Sequence, residues 1–360
     1  MTGYTGYAIK TDFDKSDSAN KLHILTTPNG LFTASFSNRG LTIVDLAVRR
    51  TPSNAHFHNV NLGFRSGEDY KRADNPYFGA FIGRVANRIR DGKFELDGKS
   101  YQVVQSNFGH CLHGGMVGYD KVVLRDPEVL PALSETSSDT LKFNYVSKHL
   151  EEGFPGELLV VVKYWVEDAP GGGALYLEYE ATLMGPENVD HAIVNLTNHS
   201  YFNIGDKSTI EDTEFTMTTN QTLEVTDTFV PTGNIVPHPL VPTDLSTFKF
   251  GPDEPDIDHA FVFPDADISA LDTRSFPLKT MASAYHPCTK LHLKGETTEP
   301  SFQLYTGRYI GVGGLYGPRS GFCLESSRYI DAVNKQEWKG MVTIGKGQIY
   351  GALTRLSLYY

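Results

Sequence analysis

The chain's densest chemistry lies in Asn195-Leu196-Thr197-Asn198-His199-Ser200-Tyr201-Phe202-Asn203, directly after the apolar run Ala192-Ile193-Val194. One imidazole, two aliphatic hydroxyls and three carboxamides share these nine residues. A strand running out into such a loop sets polar side chains at the mouth of a β scaffold. His199 can exchange a proton near neutral pH without a large shift in its affinity. Taken singly, a histidine in a polar loop is as readily a hydrogen-bonding surface residue.

Other stretches carry groups of the same kind. Within Asn75–Ile89, Arg84, Asn87 and Arg88 sit among apolar neighbours. An arginine so placed must be ion-paired or face a ligand, because an unpaired buried charge is costly. Asn107-Phe-Gly-His-Cys-Leu-His-Gly-Gly115 holds His110 and His113 with Cys111 between them. Metal ligation is not expected there: residues three apart in a strand point to opposite faces, and no carboxylate completes a set. The glycines after His113 suggest close backbone approach. Asp258 stands beside His259 before an apolar run, and Gln303 lies opposite Phe302 and Leu304 in an extended segment. Glu325 follows Phe322-Cys323-Leu324, where desolvation can raise a carboxylate's proton affinity and make it a usable base. Asp258 and Glu325 could each equally be ordinary paired acids.

The elements that must position these groups read as β-strands almost throughout. Leu175, Leu177, Tyr179, Ala181 and Leu183 alternate onto one face. Phe94–Val103 reads as two short strands about the hairpin signal Asp97-Gly98. Leu141–Tyr145, Phe215–Met217, Leu291–Leu293 and Phe302–Leu304 alternate in the same way. Aromatic residues reach 12%, with 19 Tyr and 21 Phe, which suits pleated surfaces. The 34 Gly and 19 Pro interrupt the strands often, and no helical period or fixed repeat is sustained. Leu130–Asp139 and Ala169–Ala174 read as hairpin loops, and Pro231–Pro255 as a long functional loop. The fold class expected is all-β: one large antiparallel sandwich with few short helices, residues 1–360 forming a single domain.

Composition bounds the function. With 40% hydrophobic and 21% charged residues the chain is globular. Its net charge of −11 argues against nucleic acid and anionic membranes, which need a Lys/Arg footprint. Met1–Lys10 shows no basic segment leading into an apolar one, and the longest apolar runs, such as Leu158–Val162, are too short to span a bilayer. Cys111, Cys288 and Cys323 are odd in number and widely spaced, which suits a reducing compartment. The glycosylation-type triplets at Asn195, Asn198 and Asn220 then read as chance matches. A cytoplasmic location is expected.

Taken in order, Gly83-Arg-Val-Ala-Asn-Arg88, Leu112-His-Gly-Gly115, Asn195–Asn203, Asp258-His259, Gln303-Leu-Tyr-Thr-Gly307 and Cys323-Leu-Glu325 resemble the aldose 1-epimerase (galactose mutarotase) family. The resemblance runs from about Gly30 to the C-terminus. It implies a β-supersandwich whose open cleft binds a free hexose. His199 matches the family's general acid and Glu325 its general base, while Asn87, Arg88, His113, Asp258 and Gln303 match sugar-binding positions. It further implies no cofactor and no metal, a monosaccharide as the partner, and a monomer or weak homodimer.

These residue types fit anomer interconversion, in which O1 loses a proton while the ring oxygen O5 gains one; each positioned group contributes typically about 10²–10⁴-fold. Two departures from the family pattern lie near the presumed base. Ile330 precedes Asp331-Ala332 where many members carry proline, and Arg319 stands where histidine is frequent. They leave sugar preference open. A hexose-6-phosphate 1-epimerase, with Arg308 and Arg319 as phosphate ligands, and a non-catalytic sugar sensor remain alternatives. A glycoside hydrolase fits least, since it would use two carboxylates rather than His and Glu.

Overall fold

In the computed structural model, residues 6–185 and 189–360 are described; the N-terminal residues 1–5, part of the segment read for a leader, lie outside them. Antiparallel strands dominate, and among the described residues the helices are 3-10 turns of three residues each. The longest strands form a nine-stranded sheet in the order 128–130, 140–147, 157–169, 172–184, 349–359, 291–297, 279–286, 214–217 and 248–249. A five-stranded sheet is built from consecutive strands between Tyr7 and Asn59. A six-stranded sheet runs 201–202, 322–327, 301–305, 258–262, 221–225 and 231–237.

The alternation read from the sequence is what holds the layers together. Leu175, Leu177, Tyr179, Ala181 and Leu183 are all buried. They join one apolar core with Phe32 and Phe36 of the five-stranded sheet and with Phe261, Phe302, Leu304, Phe322 and Leu324 of the six-stranded sheet. Period-two patterning therefore supplies each sheet with one core face. The Asp97-Gly98 hairpin forms, with Lys93–Leu96 paired to Lys99–Gln102. Residues 131–139 form a hairpin connection, whereas of the loop expected at 169–174 only Pro170 and Gly171 form the turn, Ala169 and Gly172–Ala174 being paired strand residues. Pro231–Pro255 departs from the long loop expected. Its first part, Pro231–Pro237, is a strand paired with Gln221–Val225 at the edge of the six-stranded sheet, where proline's missing N–H costs no ladder bond.

The opposite face of the six-stranded sheet is the one that matters for chemistry. Register sets Gln303 opposite Glu325, Tyr305 opposite both Asp258 and Cys323, and Tyr201 opposite Cys323. Since residues two apart share a face, these six side chains emerge together.

Candidate active site

That face forms the floor of a cleft of ≈ 310 Å³, a volume at the lower end of small-molecule sites. All seven residues singled out in the sequence line it: Asn87, Arg88, His113, His199, Asp258, Gln303 and Glu325. Glu325 and Gln303 come from the floor. His199 ends the short strand Thr197–His199, which pairs with Ala80–Ile82. Asn87 and Arg88 arrive at the paired segments Arg88–Ile89 and Cys111–Leu112, with His113 just beyond.

His199 Nε2 lies 3.6 Å from Glu325 Oε1, and both side chains are about 6–7% exposed. Burial dominates their proton affinities. It lowers that of His199 to about 4. It raises the Glu325 carboxyl well above its ordinary range; neighbouring Asp258 adds to the rise and Arg88 opposes it. Burial therefore shifts the pair's shared proton toward the carboxyl and away from the imidazole, because a dry site penalises charge separation. On its other side, His199 Nδ1 lies 3.7 Å from Cys323 Sγ. Burial pushes that thiol far up, so it stays S–H. A ring proton on Nδ1, directed at the sulfur, leaves Nε2 as the acceptor facing the Glu325 carboxyl.

His113 is neutral too. Burial first, then neighbouring His199, which competes for the same charge, and the positive charges of Arg88 and Lys121 hold it well below its ordinary value. Its Nδ1 accepts the Asn87 backbone N–H at 3.2 Å, while its own N–H donates to the Asn87 carbonyl at 3.0 Å. Its Nε2 must then be a donor. Both residues take left-handed backbone, as does Tyr77 on the cleft wall. Gly114 follows because a Cβ there would come 2.1 Å from the Gly83 carbonyl oxygen, the close approach expected from the glycines after His113. Arg88 donates to Asn107 Oδ1 at 3.0 Å, lies over the Phe229 ring, and keeps an Nε without a protein partner. Gln303 donates to Asp258 at 2.6 Å and leaves its own carbonyl oxygen free.

Several side chains have other roles than their sequence settings suggested. Among the described residues Arg84 has no ion-pair partner, and it does not line the cleft. It donates to the carbonyls of Ser147, Lys148, Phe154, Pro155 and Gly156, bracing the turn beneath the site. Of the Asn195–Asn203 stretch, only His199 and Tyr201 line the cleft. Asn195 clips Arg328, Asn198 holds the Gly79 carbonyl and Ser200, and Asn203 gathers the loop carbonyls of Lys207, Thr209 and Ser320. Asn195, Asn198 and Asn220 are buried, in keeping with chance glycosylation triplets. Arg319 donates to Gly251 and Pro255, and Arg308 pairs with Asp256. Neither lines the cleft.

The cleft also holds residues not picked out in advance: Tyr77, Tyr201, Tyr305, Tyr309 and Asn107. Tyr201 and Tyr77 stack on His199 at 5.0 and 5.7 Å. Tyr305 carried a signal, being two residues after Gln303 in an alternating strand; Tyr77 and Asn107 sit in connections that carried none. His113, His199 and Glu325 bring donor atoms within 4.8 Å of one another, so the same groups could contact a metal ion, a juxtaposition that strand spacing alone did not reveal.

Fold and cleft together define an all-β sandwich protein with a buried histidine–glutamate pair in an open polar cleft. Residues 23–357 match the aldose 1-epimerase family, and the chain belongs to that family. It is 40% identical over 351 residues to the bifunctional protein GAL10 of Pachysolen tannophilus, covering 96% of this chain and 48% of that protein. The chain thus spans about half the length of the GAL10 relatives it matches. It is 36% identical to the galactose mutarotase of Sus scrofa over 88% of this chain and 87% of that one. The galactose 1-epimerase structure from Lactobacillus acidophilus superposes with a TM-score of 0.78 at 19% identity, over 98% of both chains. The GalM/aldose epimerase homologue of C. elegans gives 0.77 at 24%, over 94% of this chain and 98% of that one. These two establish the shared fold. Among the described residues no helix is long and apolar enough to cross a membrane.

Proposed function

We propose that the protein is an aldose 1-epimerase that interconverts the α and β anomers of free aldohexoses such as D-glucose and D-galactose, with residues 1–360 acting as one cytoplasmic domain that needs no cofactor. The observation that carries this reading is the His199–Glu325 pair, 3.6 Å apart and buried at the centre of the hydrogen-bonding residues.

The reaction follows from the pair's single proton. A bound sugar supplies hydroxyl hydrogen bonds, Arg88 favours the carboxylate, and the Glu325 proton passes to the open Nε2 of His199. Glu325 then removes the O1 proton as His199 Nε2–H protonates O5. The C1–O5 bond breaks with its electrons going to O5, and C1–O1 becomes a carbonyl. Rotation about C1–C2 presents the other carbonyl face, and the same two transfers run backwards to close the ring. Nothing is consumed. Asn87, Arg88, His113, Asp258 and Gln303 hold the remaining oxygens, with Tyr rings against the sugar's C–H faces.

A 6-phosphorylated hexose is the weaker reading, because the two arginines considered for a phosphate are occupied elsewhere. Polarimetry of freshly dissolved α-D-galactose and α-D-glucose, with wild type beside Glu325→Gln, tests the proposal. Acceleration that collapses in the variant is expected. Folded wild type that accelerates neither sugar would refute it.

A further inference from the structure

Away from the cleft, three donors of mixed chemistry converge. His286 ends the strand Lys279–His286, Cys288 sits in the tight turn that follows, and Asp206 lies in the connection after the strand Tyr201–Phe202. Their ligand atoms all fall within 4.8 Å of one another. We propose that Asp206, His286 and Cys288 form a binding site for a divalent transition-metal ion, zinc being the best match.

The strongest independent observation is the state of His286. Its side chain is fully buried, yet neither ring nitrogen has a hydrogen-bond partner among the described residues. A buried imidazole almost always satisfies at least one nitrogen. Asp206 Oδ1 lies 3.9 Å from Nε2, too far for a hydrogen bond. An ion between them would satisfy both.

Donor chemistry selects the ion. A thiolate, an imidazole and a carboxylate on one centre suit zinc, whose bonds to S, N and O are about 2.0–2.3 Å. Tetrahedral geometry with such bonds sets donors roughly 3.4–3.6 Å apart. From 3.9 Å between His286 and Asp206 and no more than 4.8 Å for the other pairs, closure takes about 1 Å of movement, which Asp206 and Cys288, both exposed, can supply by changing rotamer. His286 is fixed by packing and serves as the anchor. The fourth position would face solvent and take water.

Neighbouring contacts favour the arrangement. Thr289 Oγ1 donates to the Ile204 carbonyl at 2.7 Å, clipping the turn to the Asp206 segment without any ion. Two of the ligands, separated only by Pro287, come from one turn. The ion would tie the 286–291 hairpin to the connection leading out of the cleft floor, a structural role rather than a catalytic one.

The test is titration of the full, reduced chain with Co²⁺, followed by thiolate-to-cobalt charge-transfer absorption. One equivalent should saturate the band. Cys288→Ala should abolish it, His286→Gln should weaken binding at least tenfold, and Glu325→Gln should leave it intact. Zinc should raise the thermal midpoint by on the order of a few degrees in wild type and not in Cys288→Ala, whose sugar mutarotation should match wild type. Absence of the band would overturn the proposal. So would a band that survives Cys288→Ala, which would assign the ion to the His113–His199–Glu325 cluster beside Cys323.

Discussion

If Glu325 and His199 handle one shared proton, their losses cannot add. Each positioned acid or base is typically worth about 10²–10⁴-fold, which at 1.36 kcal/mol per decade is roughly 2.7–5.5 kcal/mol of barrier. Independent groups would make the double variant slower by the product, up to about 10⁸-fold. At 3.6 Å, and with burial driving both toward their neutral forms, they act as one unit. Once either is gone, O1 deprotonation and O5 protonation are no longer concerted, and the survivor has little left to do. The expected result is that Glu325→Gln, His199→Asn and the double variant all fall to within about tenfold of one another, with a coupling energy close to the full effect of a single substitution. Polarimetric initial rates on α-D-galactose, corrected for spontaneous mutarotation, supply the four corners, with far-ultraviolet circular dichroism confirming the fold. Additivity to within about 0.5 kcal/mol would refute the shared-proton mechanism.

Three further outcomes follow from the geometry. Cys323→Ala should lower kcat with little change in KM, because Nδ1 loses the sulfur partner that fixes the His199 tautomer, and Cys323→Ser should restore most of it; a pure KM effect would sink the assignment. Glu325→Gln should be more stable than wild type, by a margin that depends on pH. A carboxyl whose folded affinity is raised favours folding most below its unfolded value of 4.5, and that contribution is lost as pH rises through the folded value. The advantage in urea midpoint should thus be smallest below about pH 4.5 and grow toward neutrality; a margin independent of pH contradicts the burial argument. Arg84→Met should cost roughly 3 kcal/mol or more, because it strands the carbonyls that the guanidinium now satisfies. Equilibrium denaturation measures it, and a loss under about 1 kcal/mol would show that water replaces the guanidinium.

Much of this was legible before the structure, for identifiable reasons. Alternation at Leu175–Leu183 named a buried face because strand periodicity is local, and Asp97-Gly98 named a turn because left-handed backbone is a property of those residues. Ordered motifs named the cleft residues, since the family resemblance carries three-dimensional information that spacing lacks. What alternation cannot encode is which strands become neighbours. Asp258, Gln303 and Glu325 share one face only because three strands distant in sequence pair in a particular register. Arg84 shows a different limit: charge among apolar residues suggested an ion pair or a ligand, and backbone carbonyls proved a third way to satisfy it. The three carboxamides around His199 mislead similarly. Asparagine serves a loop's backbone as well as it serves a sugar, and composition does not separate the two uses.

The division of labour between floor and walls bears on how the cleft works. The carboxylate and its carboxamide neighbour stand on paired strands, where register fixes their spacing and the core behind them resists movement. The walls are connections in which Tyr77, Asn87 and His113 all adopt left-handed backbone, a conformation that costs non-glycine residues of order 1–3 kcal/mol each. Such strain persists only where surrounding contacts over-determine it, and the reciprocal Asn87–His113 bonds do so here. The cost keeps His113 Nε2 aimed inward with no sugar present, so ordering is completed at folding rather than charged against binding. A rotating C1–C2 bond needs room, however, and the 3.6 Å gap between acid and base is longer than a proton-transfer contact of about 2.6–3.2 Å. Under the proposed reaction, fixed walls with a slightly open pair suit a substrate that must change shape between two identical transfers.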